Sequence, residues 1–239
     1  MGASLGDITI YYDGTAIADN VVNVEFQITA NYICDFYYKL LNGYKPTKTG
    51  RICITLNKAK VWDTPWYFGS ICNVSWLIDE QKYLSSSKMD KYKYILELLH
   101  NACIHLAEIY DWDKAVFKNA YDEIYKQDFY FSLSYPEKKS RDRKKIAQAI
   151  IEKTDLITTL YLIVRIESNI EKIKLFEKKN WWWWDSAYVI AKNCRWLDNI
   201  SFGICSNDST QFAYYSITGK NVSSNLSFKE NNFLKRKAN

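Results

Sequence analysis

The chain contains few of the residues that most catalytic motifs require. Its 239 residues include only 3 Pro, 8 Gly and 2 His. Neither the G-x-G-x-x-G pattern nor the Walker A lysine motif is present, so no phosphate-binding loop of either kind is predicted. The scarcity of Pro and Gly also argues against long disordered linkers. The remaining composition, with 48% hydrophobic and 25% charged residues, is typical of a globular protein.

Recognisable targeting and membrane-spanning segments are also missing from the sequence. The longest apolar stretch, residues 156–164, contains two threonines and is far shorter than the roughly 20 residues of a membrane span. Met1–Ile10 has neither the basic nor the apolar region of a secretory signal. The six cysteines form no C-x-x-C pair, a pattern that favours reduced, buried thiols. We therefore expect a cytoplasmic protein with no membrane partner.

The first 80 residues are predicted to form strands. Apolar and polar residues alternate over Ile8–Tyr12 and again over Val21–Thr29, and this period of two is typical of strands with one buried face. The Asp13-Gly14 pair between the two segments favours a turn, so the sequence predicts a hairpin.

A short internal repeat follows in this region. The pattern Pro-x-x-x-Gly-x-Ile-Cys begins at Pro46 and recurs nineteen residues later at Pro65. Each copy reads as a loop followed by a strand, with the strands over Arg51–Leu56 and Ser70–Ile78. We interpret the two as successive strands of one meander, although coincidence is an alternative.

The middle of the chain is predicted to be helical. Ser87-x-x-Asp90 has the pattern of a helix-capping box, and apolar residues then recur at steps of three and four as far as Tyr110. A second apolar stripe spans Asp113–Gln127. Because the break between the stripes is short, the two helices are expected to pack antiparallel.

The C-terminal part is predicted to return to strands. Leu156–Glu167 is the clearest strand, residues 171–179 are expected to pair beside it, and further strands are expected at 129–135, 202–205 and 211–217. Residues 136–145 read as a charged loop, while 146–153 and 185–197 fit either a helix or a strand. Lys220–Asn239 is polar and is expected to be frayed.

Taken together, these patterns predict an α+β fold. Mostly antiparallel sheets in the N- and C-terminal parts would flank a central antiparallel helical hairpin. We expect one domain over residues 1–230, with strands over 1–80, the hairpin over 87–127 and mainly strands over 128–220. Residues 231–239 would form a flexible basic tail.

The two histidines do not form a recognisable site. His100 and His105 lie on the first central helix, near Glu97 and Cys103. Five residues correspond to about 140° around a helix, so the two rings cannot easily share one metal ion. No catalytic, metal-binding or cofactor-binding residue is predicted.

The densest positive run is Lys138-Lys139-Ser140-Arg141-Asp142-Arg143-Lys144-Lys145. Such a run can bind phosphates or an acidic protein, but it can also be a solvated loop. The candidate binding residues are Lys138, Lys139, Arg141, Arg143 and Lys144.

The most unusual local feature is the run Trp181, Trp182, Trp183 and Trp184. In a strand, alternate tryptophans point to opposite faces, so one pair could be exposed. Exposed tryptophan is enriched at binding hot spots, which makes all four candidate binding residues. The alternative is a strand that is covered on both faces.

These observations favour a binding protein over an enzyme. The leading hypothesis is an intracellular protein-binding domain without catalytic activity, in one form a toxin-neutralising immunity protein, with another protein as its partner. The first alternative is a nucleic-acid-binding protein that uses the 138–145 loop and exposed aromatic residues. The second is an enzyme of unrecognised type, for which a deep pocket lined by Glu97, His100 or Cys103 would be the evidence.

Overall fold

The computed structural model describes residues 5–12, 20–58, 64–180 and 185–228. Over these ranges the chain is a mixed α+β fold with five helices and three sheets, and most of the strand pairs are antiparallel. The described residues divide into two compact units, those up to residue 129 and those from 130 to 228. Among the helices of the described ranges, none is long and apolar enough to cross a membrane.

The first unit is a four-stranded sheet with helices packed on one face. Its elements are β1 (Asp7–Tyr12), α1 (Asn20–Leu40), β2 (Arg51–Asn57), β3 (Trp66–Phe68), β4 (Ile71–Leu77), α2 (Glu80–Ser85), α3 (Lys88–Tyr110) and α4 (Lys114–Lys126). The strand order is β1-β2-β4-β3, in which β3 alone is antiparallel to its neighbour. The buried face of the sheet carries Ile8, Ile10, Ile52, Ile54 and Val74.

Helix α1 corrects the strand predicted over Val21–Thr29. The alternation of apolar residues there is local, whereas the buried residues Phe26, Ala30, Ile33 and Tyr37 recur at three- and four-residue steps along the helix. Because β1 and β2 are parallel, the connection between them must cross over the sheet, and α1 forms that crossover. The predicted hairpin is therefore wrong; its Asp13-Gly14 turn lies outside the described residues.

The internal repeat does mark two strands, but they do not form a meander. The strands β2 and β4 are parallel neighbours, with Ile52 paired to Cys72. A meander requires antiparallel neighbours. The short strand β3 lies within the second copy and pairs antiparallel with β4. The register is offset by one residue from the repeat, because Ile71 pairs with Arg51 and not with Ile52. The repeated residues therefore lie on opposite faces of the sheet, and the sequence repeat is not a structural one.

The two central helices are present with the predicted caps. The Ser87 side chain accepts the Asp90 N–H at the start of α3, and Asp113 accepts the Ala115 N–H at the start of α4. The predicted central hairpin is not confirmed, because α1 packs against both α3 and α4 and the three form one helical layer. The prediction of a two-helix hairpin differs from the structure because the sequence analysis took the segment of α1 for a strand.

The second unit contains the other two sheets. Its elements are β5 (Phe131–Ser134), β6 (Lys138–Lys139), β7 (Lys145–Lys153), β8 (Ile157–Ile166), β9 (Asn169–Lys179), α5 (Ser186–Asn193), β10 (Arg195–Trp196), β11 (Ser201–Cys205), β12 (Phe212–Ser216) and β13 (Asn221–Ser224). One sheet has the order β5-β7-β8-β9, with β6 also paired to β7, and the other has the order β10-β11-β12-β13.

The structure assigns the two segments whose sequence fits either a helix or a strand. Residues 146–153 belong to strand β7, while 185–197 contain α5 followed by the short strand β10. The expectation that Lys220–Asn239 is frayed is wrong at its start, because β13 pairs with β12 through Ser216 and Asn221. The predicted tail at 231–239 lies outside the described residues.

Candidate functional site

The basic run forms the tip of a β-hairpin between β6 and β7. The Ser140 N–H donates to the Lys145 carbonyl at 2.9 Å, and the Arg143 N–H donates to the Ser140 carbonyl at 2.9 Å. Arg143 has a left-handed backbone with φ of 59°. The segment predicted as a charged loop is therefore a closed turn of defined shape. We refer to residues 140–144 as the tip.

Asp142 is the one acidic residue of the tip, and its carboxylate holds the turn together. Its Oδ1 accepts the Ser140 hydroxyl at 2.6 Å and the Lys144 N–H at 3.1 Å, while Lys145 Nζ lies 2.9 Å from Oδ2. The hydrogen bonds from Ser140, Lys145 and the Lys144 N–H lower the pKa of Asp142 below its usual range. The carboxylate is thus ionised at neutral pH and is occupied by partners within the turn.

Lys138 anchors the base of the hairpin. Its Nζ donates to the carbonyl of Cys194 at 2.5 Å and to that of Lys192 at 3.3 Å, at the C-terminus of α5. A cation is favourable there because the helix dipole places partial negative charge on the last carbonyls. The Lys138 carbonyl also accepts the Trp196 Nε1–H at 2.8 Å. Of the predicted binding residues, Lys138 is therefore engaged within the unit.

The other four predicted cations of the hairpin are exposed, and none forms an ion pair with a described residue. The cations elsewhere on the same sheet differ in this respect, since Lys172 lies 2.6 Å from Glu152 and Lys174 lies 3.3 Å from Glu177. The unpaired set, which we call the tip cations, consists of Lys139 at the end of β6 and Arg141, Arg143 and Lys144 in the tip.

The hairpin also holds the whole positive excess of the chain. The chain has 32 Lys and Arg against 27 Asp and Glu. Residues 138–145 contain six of those cations and one carboxylate, which leaves 26 basic and 26 acidic residues in the rest of the chain. The formal net charge of +5 is thus a property of this one hairpin.

Comparison of the chain with protein-family models, curated proteins and solved structures gave no match. Function must therefore be inferred from the side chains themselves.

The second predicted binding feature, Trp181–Trp184, lies outside the described residues. The residues on either side of it are held by one buried hydroxyl. Thr158 Oγ1 hydrogen-bonds to Asn180 Oδ1, just before the run, and lies 2.7 Å from Asp185 Oδ2, just after it. The flanking residues Asn180 and Asp185 therefore contact the same position of β8.

Asp185 is also the centre of a buried ionic cluster that the sequence did not reveal. Its Oδ1 lies 2.9 Å from Lys178 Nζ and its Oδ2 lies 3.7 Å from Lys153 Nζ. The side chains of Lys153, Asp185 and Lys178 are only 1%, 3% and 6% exposed. Oδ1 also caps α5 by accepting the Ala187 N–H at 2.9 Å. Lysine is rarely buried without an ion partner, which is the role of Asp185 here.

The electrostatics of this cluster favour the ionised aspartate. Burial raises the pKa of Asp185, but the ammonium groups of Lys153 and Lys178 and the Thr158 hydrogen bond lower it by more. The net result is a pKa below the ordinary aspartate value. The cluster therefore acts as a structural ion network at the start of α5.

The two histidines pack against aromatic side chains of the first unit. His100 Nδ1 lies 2.9 Å from the Tyr37 hydroxyl, and its ring lies 4.4 Å from that of Tyr121. Burial lowers the pKa of His100, against the opposing charge of Asp122. The ring of His105 lies 5.5 Å from that of Trp76. Within the described ranges, no group of three or more His, Cys, Asp or Glu side chains is placed to hold a metal ion.

The Cys103 thiol and the two cavities described below offer little support for the enzyme hypothesis. Cys103 is fully buried, and that burial raises the pKa of its thiol well above the ordinary range. A hollow of about 510 Å³ lies beside α5 and β11, and another of about 410 Å³ adjoins Asp79 and Glu80. Neither is lined by Glu97, His100 or Cys103.

Proposed function

We propose that this chain binds nucleic acid and contacts the phosphates with the tip cations. The observation that supports this most strongly is the concentration of the chain's entire positive excess on one hairpin, residues 138–145, where four exposed cations have no described carboxylate partner. Phosphate backbones attract such a cluster without regard to sequence, because binding releases condensed counterions. Two of the four cations are arginines, whose planar guanidinium can hold a phosphate with two hydrogen bonds.

The internal bonding of the hairpin strengthens this proposal. The one carboxylate that could neutralise the tip, Asp142, is occupied by Ser140, Lys144 and Lys145. The turn is therefore held without using any tip-cation side chain. A partner would meet cations whose backbone positions are already ordered, which lowers the entropy cost of binding.

Replacing all four tip cations with alanine is expected to weaken the binding of duplex DNA on the order of 10- to 100-fold at low salt. Four phosphate contacts predict that log K falls against log salt with a slope of about −3.6, and the variant should lose most of that slope. Fluorescence anisotropy with a labelled duplex over a series of salt concentrations measures both quantities.

A matched control has the same change in net charge. It replaces four lysines that form surface ion pairs, namely Lys114, Lys126, Lys172 and Lys174. If this control loses as much affinity as the tip variant, net charge and not the hairpin is responsible. If neither variant changes the binding of DNA, the tip is not the contact surface.

A protein-binding role is a second candidate, favoured by an exposed aromatic pair in the first unit. Trp66 and Phe68 are 47% and 72% exposed on the same face of the edge strand β3. Large aromatic residues on an exposed edge are typical of binding hot spots, and neutralisation of a toxin would be one such role.

We expect Phe68→Ala to weaken a protein partner's affinity by about 2 kcal/mol if this edge is a hot spot. Capture of partners from lysates of the native host, with wild type, Phe68→Ala and the tip variant side by side, separates the two candidates. A protein that is lost with Phe68→Ala but retained by the tip variant supports the second candidate. Equal recovery by all three forms rules this edge out.

A further inference from the structure

Most of the backbone donors of the tip are already used within the unit. The N–H groups of Asp142, Arg143, Lys144 and Lys145 donate to Asn199 Oδ1, the Ser140 carbonyl, Asp142 Oδ1 and Ser140 Oγ, respectively. The tip also carries no Asn or Gln, the side chains that recognise adenine. Contact through the tip therefore falls mainly to the long cationic side chains. Arginine and lysine can also bind guanine in the major groove, but their contacts to phosphates carry no sequence information.

The aromatic residues that the described hydrogen bonds place at the base of the hairpin are engaged within the unit. Trp196, next to the base of the hairpin, is 9% exposed and its Nε1–H is bonded to the Lys138 carbonyl. The Tyr135 hydroxyl donates to the Tyr188 carbonyl at 3.2 Å. Tyr130 is 56% exposed, but it precedes β5, whose first residue pairs with Lys153 at the opposite end of β7.

We infer that the tip selects double-stranded over single-stranded DNA and is indifferent to base sequence. This inference rests on the proposed function and specifies its partner. A duplex carries one negative charge per roughly 1.7 Å of its axis, so four neighbouring cations can each reach a phosphate. A single strand has a lower charge density, and proteins that bind it add base stacking worth about 1–3 kcal/mol per base. The tip provides charge but contains no aromatic ring on which a base could stack.

The test compares three DNA probes with the intact chain by fluorescence anisotropy. The probes are a duplex of about 20 base pairs, one of its separated strands, and a second duplex of the same composition in shuffled order, measured between about 50 and 200 mM salt. We expect the duplex to bind at least about tenfold more tightly than the strand, and the two duplexes to agree within about twofold. The salt slope should fall by about 0.9 for Arg141→Ala, and by as much again for Arg143→Ala in the same chain.

Each other outcome has a distinct meaning. If the single strand binds as tightly as the duplex, or the two duplexes differ tenfold, the inference is wrong while the proposed function stands. If polyglutamate competes as well as duplex DNA, the tip is a general site for polyanions and the inference is again wrong. If the folded chain binds no DNA probe at low salt, the proposed function fails and the inference fails with it.

Discussion

Asp185→Asn is expected to lower the free energy of unfolding of the second unit by about 3–5 kcal/mol at neutral pH. The substitution leaves the ammonium groups of Lys153 and Lys178 buried without their carboxylate, at sites where their side chains are 1% and 6% exposed. Asparagine can still cap α5, because Asn and Asp are comparable N-cap residues. The lower free energy of unfolding would therefore result from the loss of the Asp185 negative charge and not from the loss of the α5 N-cap. Chemical denaturation of wild type and variant measures it.

The same cluster predicts how stability depends on pH. The folded-state pKa of Asp185 is depressed, because its two lysines and the Thr158 hydrogen bond outweigh the effect of burial. A group with a depressed pKa contributes stability that is fully present above its unfolded pKa and is lost as the pH falls through the folded value. Wild type should thus lose stability below the ordinary aspartate range more steeply than Asp185→Asn, which has no carboxylate to protonate at this position.

Two further variants make this prediction specific. Asp208→Asn makes the same chemical change at an exposed turn, where Asp208 accepts hydrogen bonds from Ser206 and Thr210, and should change stability by less than about 0.5 kcal/mol. Adding Lys153→Met to Asp185→Asn removes one of the two buried cations that lose the Asp185 carboxylate, and it should recover part of the loss. A loss below about 1 kcal/mol for Asp185→Asn would show that the cluster does not stabilise the unit.

Strands and helices with long, regular patterns could be read from the sequence, and shorter or mixed ones could not. The predicted strand over Leu156–Glu167 and the two central helices are present because their periodicity continues over ten residues or more. At Val21–Thr29 the window was too short, and the helical spacing becomes evident only when Ile33 and Tyr37 are included. Once that segment was taken for a strand, the parallel pairing of β1 with β2 could not be foreseen.

The candidate site was partly predictable for a similar reason. The charge run at 138–145 is visible in the sequence, but its division into anchored and exposed cations depends on tertiary contacts. Lys138 is engaged because the C-terminus of α5, more than fifty residues later, lies against it. Likewise, Lys153 and Lys178 look like ordinary surface lysines on two strands. The two come together in the core only because β8 pairs with both β7 and β9, which places Lys153 and Lys178 on either side of Thr158, and because the chain returns at Asp185.

Phe26→Ala is expected to lower the free energy of unfolding of the first unit by about 3–5 kcal/mol. Phe26 is 0% exposed, and its ring centroid lies 5.5 Å from that of Tyr12 on β1 and 5.2 Å from that of Tyr83 on α2. The Phe26 ring lies where α1, β1 and α2 meet. Filling the space left by Phe26→Ala would require all three elements to move, so we expect most of the resulting cavity to persist. Thermal or chemical denaturation followed by circular dichroism measures the change.

The neighbouring residue provides the matched control for this substitution. Glu25 is exposed on the same helix and forms a surface ion pair with Lys91 at 2.7 Å, so Glu25→Ala should cost at most about 1 kcal/mol. The contrast between adjacent positions isolates the contribution of packing, because both changes place alanine, a good helix former, in α1. Equal small losses for the two variants would mean that α1 does not pack against β1 and α2 through Phe26. A large loss for Phe26→Ala alone would establish α1 as the helix that closes this part of the core.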